Sequence, residues 1–164
     1  MSGTIRRAAL VVVVLLIAAF IALTLRYRGK APVKLAASEC DANLWKHVYE
    51  PERLKVIEQC TAVEGRVASV HRAADGDLHI GLDPEQKSVL NLINVMHAHR
   101  RLIVEAVCDH VTTKPAPASA CAGFTSAISA PTVGDRVRVT GSYVTDRDDG
   151  WNEIHPVTKI EVLR

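Results

Sequence analysis

The chain has 164 residues and a mass of 17.8 kDa, which predicts one domain with a short appendage. Residues 1–30 contain five basic residues and no acidic residue, so the rest of the chain carries 15 basic and 18 acidic residues and is slightly negative. This charge argues against a basic nucleic-acid-binding protein, and the many Val, Ile and Leu residues argue against intrinsic disorder.

Residues 8–25 form an uncharged, apolar stretch that follows an N-terminal tail at 1–7. As an α-helix this stretch would be about 27 Å long, which is close to the roughly 30 Å of a bilayer's hydrocarbon core. We therefore predict a transmembrane or signal-anchor helix at 8–25 and a linker at 26–39. A cleaved signal peptide is the alternative, although the basic segment 26–30 stands where its cleavage site is expected.

Four cysteines, without any C-x-x-C spacing, lie at Cys40, Cys60, Cys108 and Cys121. An even number in this pattern favours two disulfides over zinc ligands, with free thiols as the alternative. Three pairings are possible, and pairing each cysteine with its sequence neighbour closes two short loops. Disulfides indicate an oxidising compartment, and hence a single-pass membrane protein whose C-terminal domain lies outside the cytoplasm. The positive-inside rule alone slightly favours the opposite orientation.

The domain at 40–164 begins with a segment in which residues 51–54 favour one helical turn. Residues 61–71 predict a long strand, and a change of its apolar face beside Gly65 indicates a bulge. The Asp75-Gly76 pair is a hairpin turn signal. A proline after an aspartate predicts a short helix over 84–94. Further strands are predicted at 78–82, 102–107, 136–144 and 151–163.

The number and spacing of these strands predict the fold class. Residues 113–131, rich in Ala, Pro, Ser and Thr, favour an ordered loop between the flanking cysteines rather than a helix. Five strands, the first long and bent at a glycine, are typical of a mostly β domain with a five-stranded OB-like barrel. A small β-sandwich is the alternative that the same turn spacing allows.

Four blocks of the sequence resemble a family of uncharacterised exported bacterial proteins with an OB-like domain. They are residues 47–54, 75–79, 104–108 and 150–157, the last reading Gly-Trp-Asn-Glu-Ile-His-Pro-Val. The resemblance covers roughly residues 40–164. It implies an OB-like barrel in an exported protein and carries no activity or catalytic residue with it.

The candidate metal ligands are His79, Glu105, Glu153 and His155. Glu153 and His155 lie two residues apart on one strand, so they share a face about 6.6 Å apart along it. Imidazoles and carboxylates are ligands that zinc and other divalent transition metals accept, and a bound metal would activate water. The alternative is that these side chains hold strand ends through hydrogen bonds.

Two further features are candidate binding elements. Tyr143 and Trp151 would form a stacking surface for a base or sugar if both rings lay on one exposed face. The alternative for Trp151 is a role in the core. Residues 97–101, with two histidines before two arginines, are typical of a solvated loop, with metal or anion capture as the alternative.

These observations favour a membrane-anchored, extracytoplasmic OB-fold binding module without enzymatic activity, with an envelope protein, a glycan or a small ligand as its partner. One alternative is a metal-dependent hydrolase, such as a phosphodiesterase, that uses the His and Glu cluster with a divalent metal. Another is a single-stranded nucleic-acid-binding OB domain, which the acidic body disfavours. The sequence contains no nucleophile motif and no phosphate-binding glycine loop.

Overall fold

The computed structural model describes residues 13, 14, 17, 32–112 and 114–164, which form a mostly β structure with few and short helices. The described part of the chain contains six strands: β1 Val33–Lys34, β2 Leu54–Arg72, β3 Leu78–Pro84, β4 Leu102–Ala106, β5 Arg136–Asp146 and β6 Asn152–Val162. Its α-helices are α1 Leu92–Met96 and α2 Pro115–Ala120, and its 3-10 turns are Ala37–Glu39, Ala42–His47, Pro51–Arg53 and Lys87–Val89.

The long strand β2 organises the sheet, because its two ends pair with different partners. Its first part pairs antiparallel with β5 and its last part pairs antiparallel with β3. The register with β3 shifts between Val67 and Ser69, which confirms the predicted bulge. At Gly65 the two strands come so close that an added Cβ would lie 2.5 Å from the Asp83 carbonyl oxygen. The close approach of β2 and β3 at this position therefore depends on a residue without a side chain.

The six strands form one sheet in the order β1-β2-β3-β4-β6-β5, and the additional β2–β5 pairing closes the five strands from β2 to β5 into a ring, with β1 outside it at the edge of β2. The ring is not a regular barrel. The shortest strand pairing in the ring is the parallel one between β4 and β6, which consists of two residue pairs. The strands lie in one sheet rather than in the two packed sheets of the alternative β-sandwich.

Two predictions for the connecting segments need correction. Pro84 is the last residue of β3 and pairs with Gly65, so no helix begins there. Instead α1 begins after Asn91, whose side chain accepts a hydrogen bond from the backbone N–H of Asn94. The predicted loop at 113–131 contains the short helix α2, which begins at Pro115. The predicted helical turn at 51–54 is present as a 3-10 turn over Pro51–Arg53.

Each face of the sheet buries its own apolar cluster. The inner cluster fills the ring with residues such as Val63, Leu78, Ile80, Val104 and Ile154. The smaller outer cluster is built from Val48, Leu54, Val107, Cys108 and Val144, with Leu44, Trp45, Cys121 and Phe124 packed against it. The segment that precedes β2 therefore covers part of the outer face of the sheet.

Two disulfides hold the covering segments, Cys40–Cys60 and Cys108–Cys121, and the described cysteines include no free thiol. This confirms the two predicted disulfides and shows that, of the three possible pairings, the one between sequence neighbours is formed. The predicted anchor at 8–25 lies outside the described residues except for residues 13, 14 and 17. Of the helices that the structure describes, none is both long and apolar enough to cross a membrane.

The Cys108–Cys121 bridge closes a loop with a sequence separation of 13 residues. Replacing both cysteines by serine should lower the free energy of unfolding by about 3 kcal/mol, because the unfolded chain regains the entropy of the open loop. Urea unfolding of the variant and of the wild type measures this loss. Reduction of the wild type, which opens both bridges, should cost at least as much, and an unchanged midpoint in the variant would contradict the prediction.

Candidate functional site

The four candidate ligands lie together on the outer face of the sheet. Side chains alternate along a strand, and the neighbouring residues Leu78, Val104 and Ile154 point into the inner cluster. His79, Glu105, Glu153 and His155 must therefore point outward. His79 and Glu105 are direct partners in the register of β3 and β4. We call these four residues the polar row.

Direct contacts join the members of the polar row. Nδ1 of His155 lies 3.0 Å from Oε2 of Glu105 and 3.1 Å from Oε1 of Glu153. Nδ1 of His79 lies 3.6 Å from Oε1 of Glu105. The structure thus brings together all four residues that the sequence nominates as metal ligands.

Most of the polar row is closed to solvent. Glu153 and His155 are 0% exposed and Glu105 is 4% exposed, whereas the side chain of His79 is 33% exposed. Buried ionisable groups are tolerated only where other polar groups satisfy them. Trp151 supplies one such group, since its indole Nε1–H donates a hydrogen bond of 3.1 Å to Oε2 of Glu153.

Two residues near the polar row, Arg53 and Asp146, are not predicted as site residues from the sequence. The guanidinium of Arg53, which comes from the turn before β2, lies 3.8 Å from Oε2 of Glu105 and also pairs with Asp146 at the end of β5. In the sequence alone Asp146 has the features of an ordinary turn residue. Only the register of β2 with β5 places it near Arg53. No local signal in the sequence indicates this contact.

A third addition, Asp77, lies at the start of β3 and is 6% exposed. Its Oδ1 accepts a hydrogen bond of 2.7 Å from the backbone N–H of Cys108. A ligand atom from each of Asp77, Glu105 and His155 lies within 4.8 Å of the other two. Alternation along the chain puts Asp77 on the same face as His79, and its contact with Cys108 joins it to the first residue of the Cys108–Cys121 loop.

Burial and charge pairing shift the pKa values of His155 and Glu105 in opposite directions. Burial alone would lower the pKa of His155, but the carboxylates of Glu105 and Glu153 outweigh this effect and raise it. Burial alone would raise the pKa of Glu105, but His155, His79 and Arg53 together lower it. His155 and Glu105 therefore form a buried ion pair.

The carboxyl groups of Glu153 and Asp77 have raised pKa values, so they are protonated more readily than in water. Burial raises the pKa of Glu153, against the hydrogen bond with His155. Burial also raises the pKa of Asp77 to about 6, against the hydrogen bond from Cys108 and the charge of His155. The polar row and the neighbouring Asp77 thus contain more carboxyl groups than the nearby cations can stabilise in the charged form.

A pocket of about 250 Å³ lies beside the polar row on the same face. Its walls include His71 and His79, which are direct partners across β2 and β3. The loop before β4 adds His97, His99 and Arg101, and Trp151 forms part of the remaining wall. His79 belongs both to this imidazole pocket and to the polar row.

Tyr143 does not share a surface with Trp151, contrary to the stacking hypothesis. It is 8% exposed and belongs to the inner cluster. Its hydroxyl donates a hydrogen bond of 2.7 Å to the Val89 carbonyl and accepts one of 2.7 Å from Nδ2 of Asn152. Trp151 is partly exposed and lines the imidazole pocket.

No known family model matches the chain, and no curated protein has a detectably similar sequence. The function therefore has to be inferred from the geometry of the polar row and of the imidazole pocket.

The raised pKa of Asp77 makes the stability of the fold depend on pH. Between about pH 4 and pH 6 the folded state binds more protons at Asp77 than the unfolded state does, so the contribution of this residue falls as pH rises. The amide in the variant Asp77→Asn cannot ionise, although its carbonyl oxygen still accepts from the Cys108 N–H. In EDTA, the variant should gain about 2 kcal/mol relative to wild type from pH 4 to pH 6.5. Urea unfolding of both proteins across this range measures the difference, and a flat difference would contradict the prediction.

His155→Ala should lower the free energy of unfolding at pH 7 by about 3–5 kcal/mol, because Glu105 and Glu153 lose their shared buried cation. The double variant His155→Ala/Glu105→Gln should lose less than the sum of the two single variants, since it no longer buries an unpaired Glu105. The exposed His97→Ala is the control and should change stability by less than about 0.5 kcal/mol. Additive losses in the double variant would argue against the ion pair.

Proposed function

We propose that the protein is a membrane-anchored, extracytoplasmic binding module with an OB-like barrel, and that the imidazole pocket is its ligand site. The observation that carries this proposal is the contrast between two neighbouring groups of residues. Three members of the polar row, Glu105, Glu153 and His155, are buried and contact one another, whereas the pocket beside them is open and presents an indole, a guanidinium and imidazoles.

Strand topology supports the OB-like assignment. An OB barrel is a partly open, five-stranded Greek-key barrel whose ligands bind on the face of its second and third strands. If β2 is taken as the first barrel strand, β3 and β4 are the second and third, and the imidazole pocket includes residues of both. The two-residue strand β1 is then an addition at the edge of β2.

The proposed location rests on the N-terminal sequence and the cysteines. Residues 8–25 have the length and composition of a membrane anchor. Two disulfides persist where the surroundings are oxidising, which favours the outside of the cytoplasmic membrane for the domain.

The chemistry of the pocket favours an anionic, ring-shaped ligand. Trp151 offers an apolar ring for a sugar or another planar group, and Arg101 offers a bidentate donor for carboxylate or phosphate. His71, His97 and His99 add hydrogen-bond donors. An acidic glycan of the cell envelope combines these features, so we propose this class of ligand.

The two other candidate functions receive less support. A hydrolase needs its acid–base groups in contact with substrate, but Glu105, Glu153 and His155 have almost no exposed surface. A single-stranded nucleic acid needs a row of aromatic platforms, and the burial of Tyr143 leaves Trp151 without its proposed stacking partner.

Calorimetric titration of the full chain in detergent micelles tests the proposal, with trigalacturonic acid as the anionic probe and maltotriose as the neutral one. We expect the anionic trisaccharide to bind more tightly. Arg101→Gln should weaken its binding about tenfold or more, because a charged hydrogen bond contributes roughly 1.5–3 kcal/mol.

Arg136→Gln is the matched control, since Arg136 pairs with Glu64 and is not among the residues that line the pocket. Equal binding of the two trisaccharides, or equal losses in Arg101→Gln and Arg136→Gln, would rule out an anion-selective site in this pocket.

A further inference from the structure

A second pocket lies next to the imidazole pocket on the outer face of the sheet. It has a volume of about 430 Å³, and it shares His99 and Arg101 with the imidazole pocket, so the two pockets are neighbours. We call it the basic pocket, because it contains two arginines and a lysine. Its walls are formed by Ala68, Asp83, Lys87, His99, Arg100 and Arg101.

Strand β3 contributes to both pockets. Its leucine and isoleucine side chains belong to the inner cluster, so the alternating positions His79, Gly81 and Asp83 face outward. His79 and Gly81 line the imidazole pocket, whereas Asp83 lines the basic pocket. From His79 to Asp83 the strand extends for about 14 Å at roughly 3.4 Å per residue. The two pockets therefore follow one another along β3.

Arg101 belongs to both pockets, and Gly81 makes room for its side chain. A Cβ added at Gly81 would lie 3.0 Å from Cδ of Arg101 and closer still to Oγ of Ser69. A guanidinium nitrogen of Arg101 donates a hydrogen bond of 3.4 Å to this Ser69 hydroxyl. The side chain of Arg101 thus lies close against the sheet, where the two pockets meet.

The loop that carries the arginines has an unfavourable backbone conformation. His99 and Arg100 have φ values of 53° and 62°, in a region that residues other than glycine rarely adopt. The fully buried Asn94 holds this loop: its Nδ2 donates a hydrogen bond of 2.9 Å to the carbonyl of Arg101, and its own carbonyl accepts one of 2.9 Å from the N–H of Arg100. Backbone strain of this kind clusters at ligand sites.

The two arginines of the basic pocket have no carboxylate partner within the part of the chain that the structure describes. The carboxylate of Asp83 pairs with Lys87, and neither Arg100 nor Arg101 forms an ion pair with a described residue. Two guanidinium groups that line one pocket repel each other, and an anion relieves this repulsion. A guanidinium also binds carboxylate or phosphate through two parallel hydrogen bonds. The pocket is therefore suited to an acidic group.

From these observations we infer that the ligand is an oligomeric anion that occupies both pockets. One acidic sugar binds beside Trp151 and pairs with Arg101, and the next acidic sugar along the chain pairs with Arg100 in the basic pocket. This inference rests on the proposed function and makes it more specific, because the acidic glycan must then present at least two acidic sugars in succession.

NMR titration of the ¹⁵N-labelled full chain in detergent micelles, with galacturonic acid and with trigalacturonic acid, tests the inference. Both sugars should shift the indole resonance of Trp151. Only the trisaccharide should also shift the amide resonances of Ala68 and Lys87 in the basic pocket, and it should bind at least about tenfold more tightly, because it gains a second charged hydrogen bond.

Arg100→Gln removes the charge that distinguishes the two sugars. It should weaken trisaccharide binding about tenfold or more and abolish the shifts at Ala68 and Lys87. Its effect on the monosaccharide should be less than about twofold, since exposed charges that do not touch the ligand are screened by salt. Arg136→Gln is again the matched control, because Arg136 lines neither pocket, and it should leave the ratio of the two affinities unchanged.

Arg100→Gly separates binding from folding. Glycine adopts a φ of 62° without strain, so this variant should melt no lower than the wild type and should still lose trisaccharide affinity as Arg100→Gln does. If Arg100→Gln leaves the trisaccharide affinity unchanged, or if both sugars shift the same resonances, the second subsite does not exist and the proposed site beside Trp151 stands alone. If neither acidic sugar binds the wild type, the proposed function fails together with this inference.

Discussion

The imidazole of His155 lies between the carboxylates of Glu105 and Glu153 on the outer face of the sheet, and much of the surrounding structure makes this arrangement possible. An ion pair at that depth is costly unless its remaining polar atoms are satisfied. Arg53 and Trp151 provide this support from two distant parts of the chain. The turn before β2 and the start of β6 are therefore positioned by electrostatics as well as by apolar packing.

The same constraint explains why segments outside the ring are fastened covalently. A barrel needs one buried face, but this sheet also buries an outer cluster around Val107 and Val144. The segment before β2 and the loop after β4 cover that cluster, and each is tied by one disulfide. Arg53, at the end of the first of these segments, also contacts Glu105 of the polar row.

Local patterns predicted those parts of the fold that local chemistry decides. The Asp75-Gly76 turn, the bulge in β2 and the presence of two disulfides follow from residue type and spacing, whereas the fold decides which cysteines pair. The helix expected at 84–94 was wrong because Pro84 completes a strand pairing with Gly65, which only the tertiary structure reveals. For the site, alternation placed its residues on one face, but the contact of Arg53 with Asp146 depends on register between strands far apart in sequence.

His79 connects the polar row to the imidazole pocket, because its ring lines the pocket and its Nδ1 lies 3.6 Å from a carboxylate oxygen of Glu105. A ligand in the pocket that moves this ring therefore changes the distance between His79 and Glu105, whose other carboxylate oxygen contacts His155. If the pocket binds its ligand in one position of His79 only, a change in the buried ion pair changes the affinity of the pocket, and the effect is reciprocal.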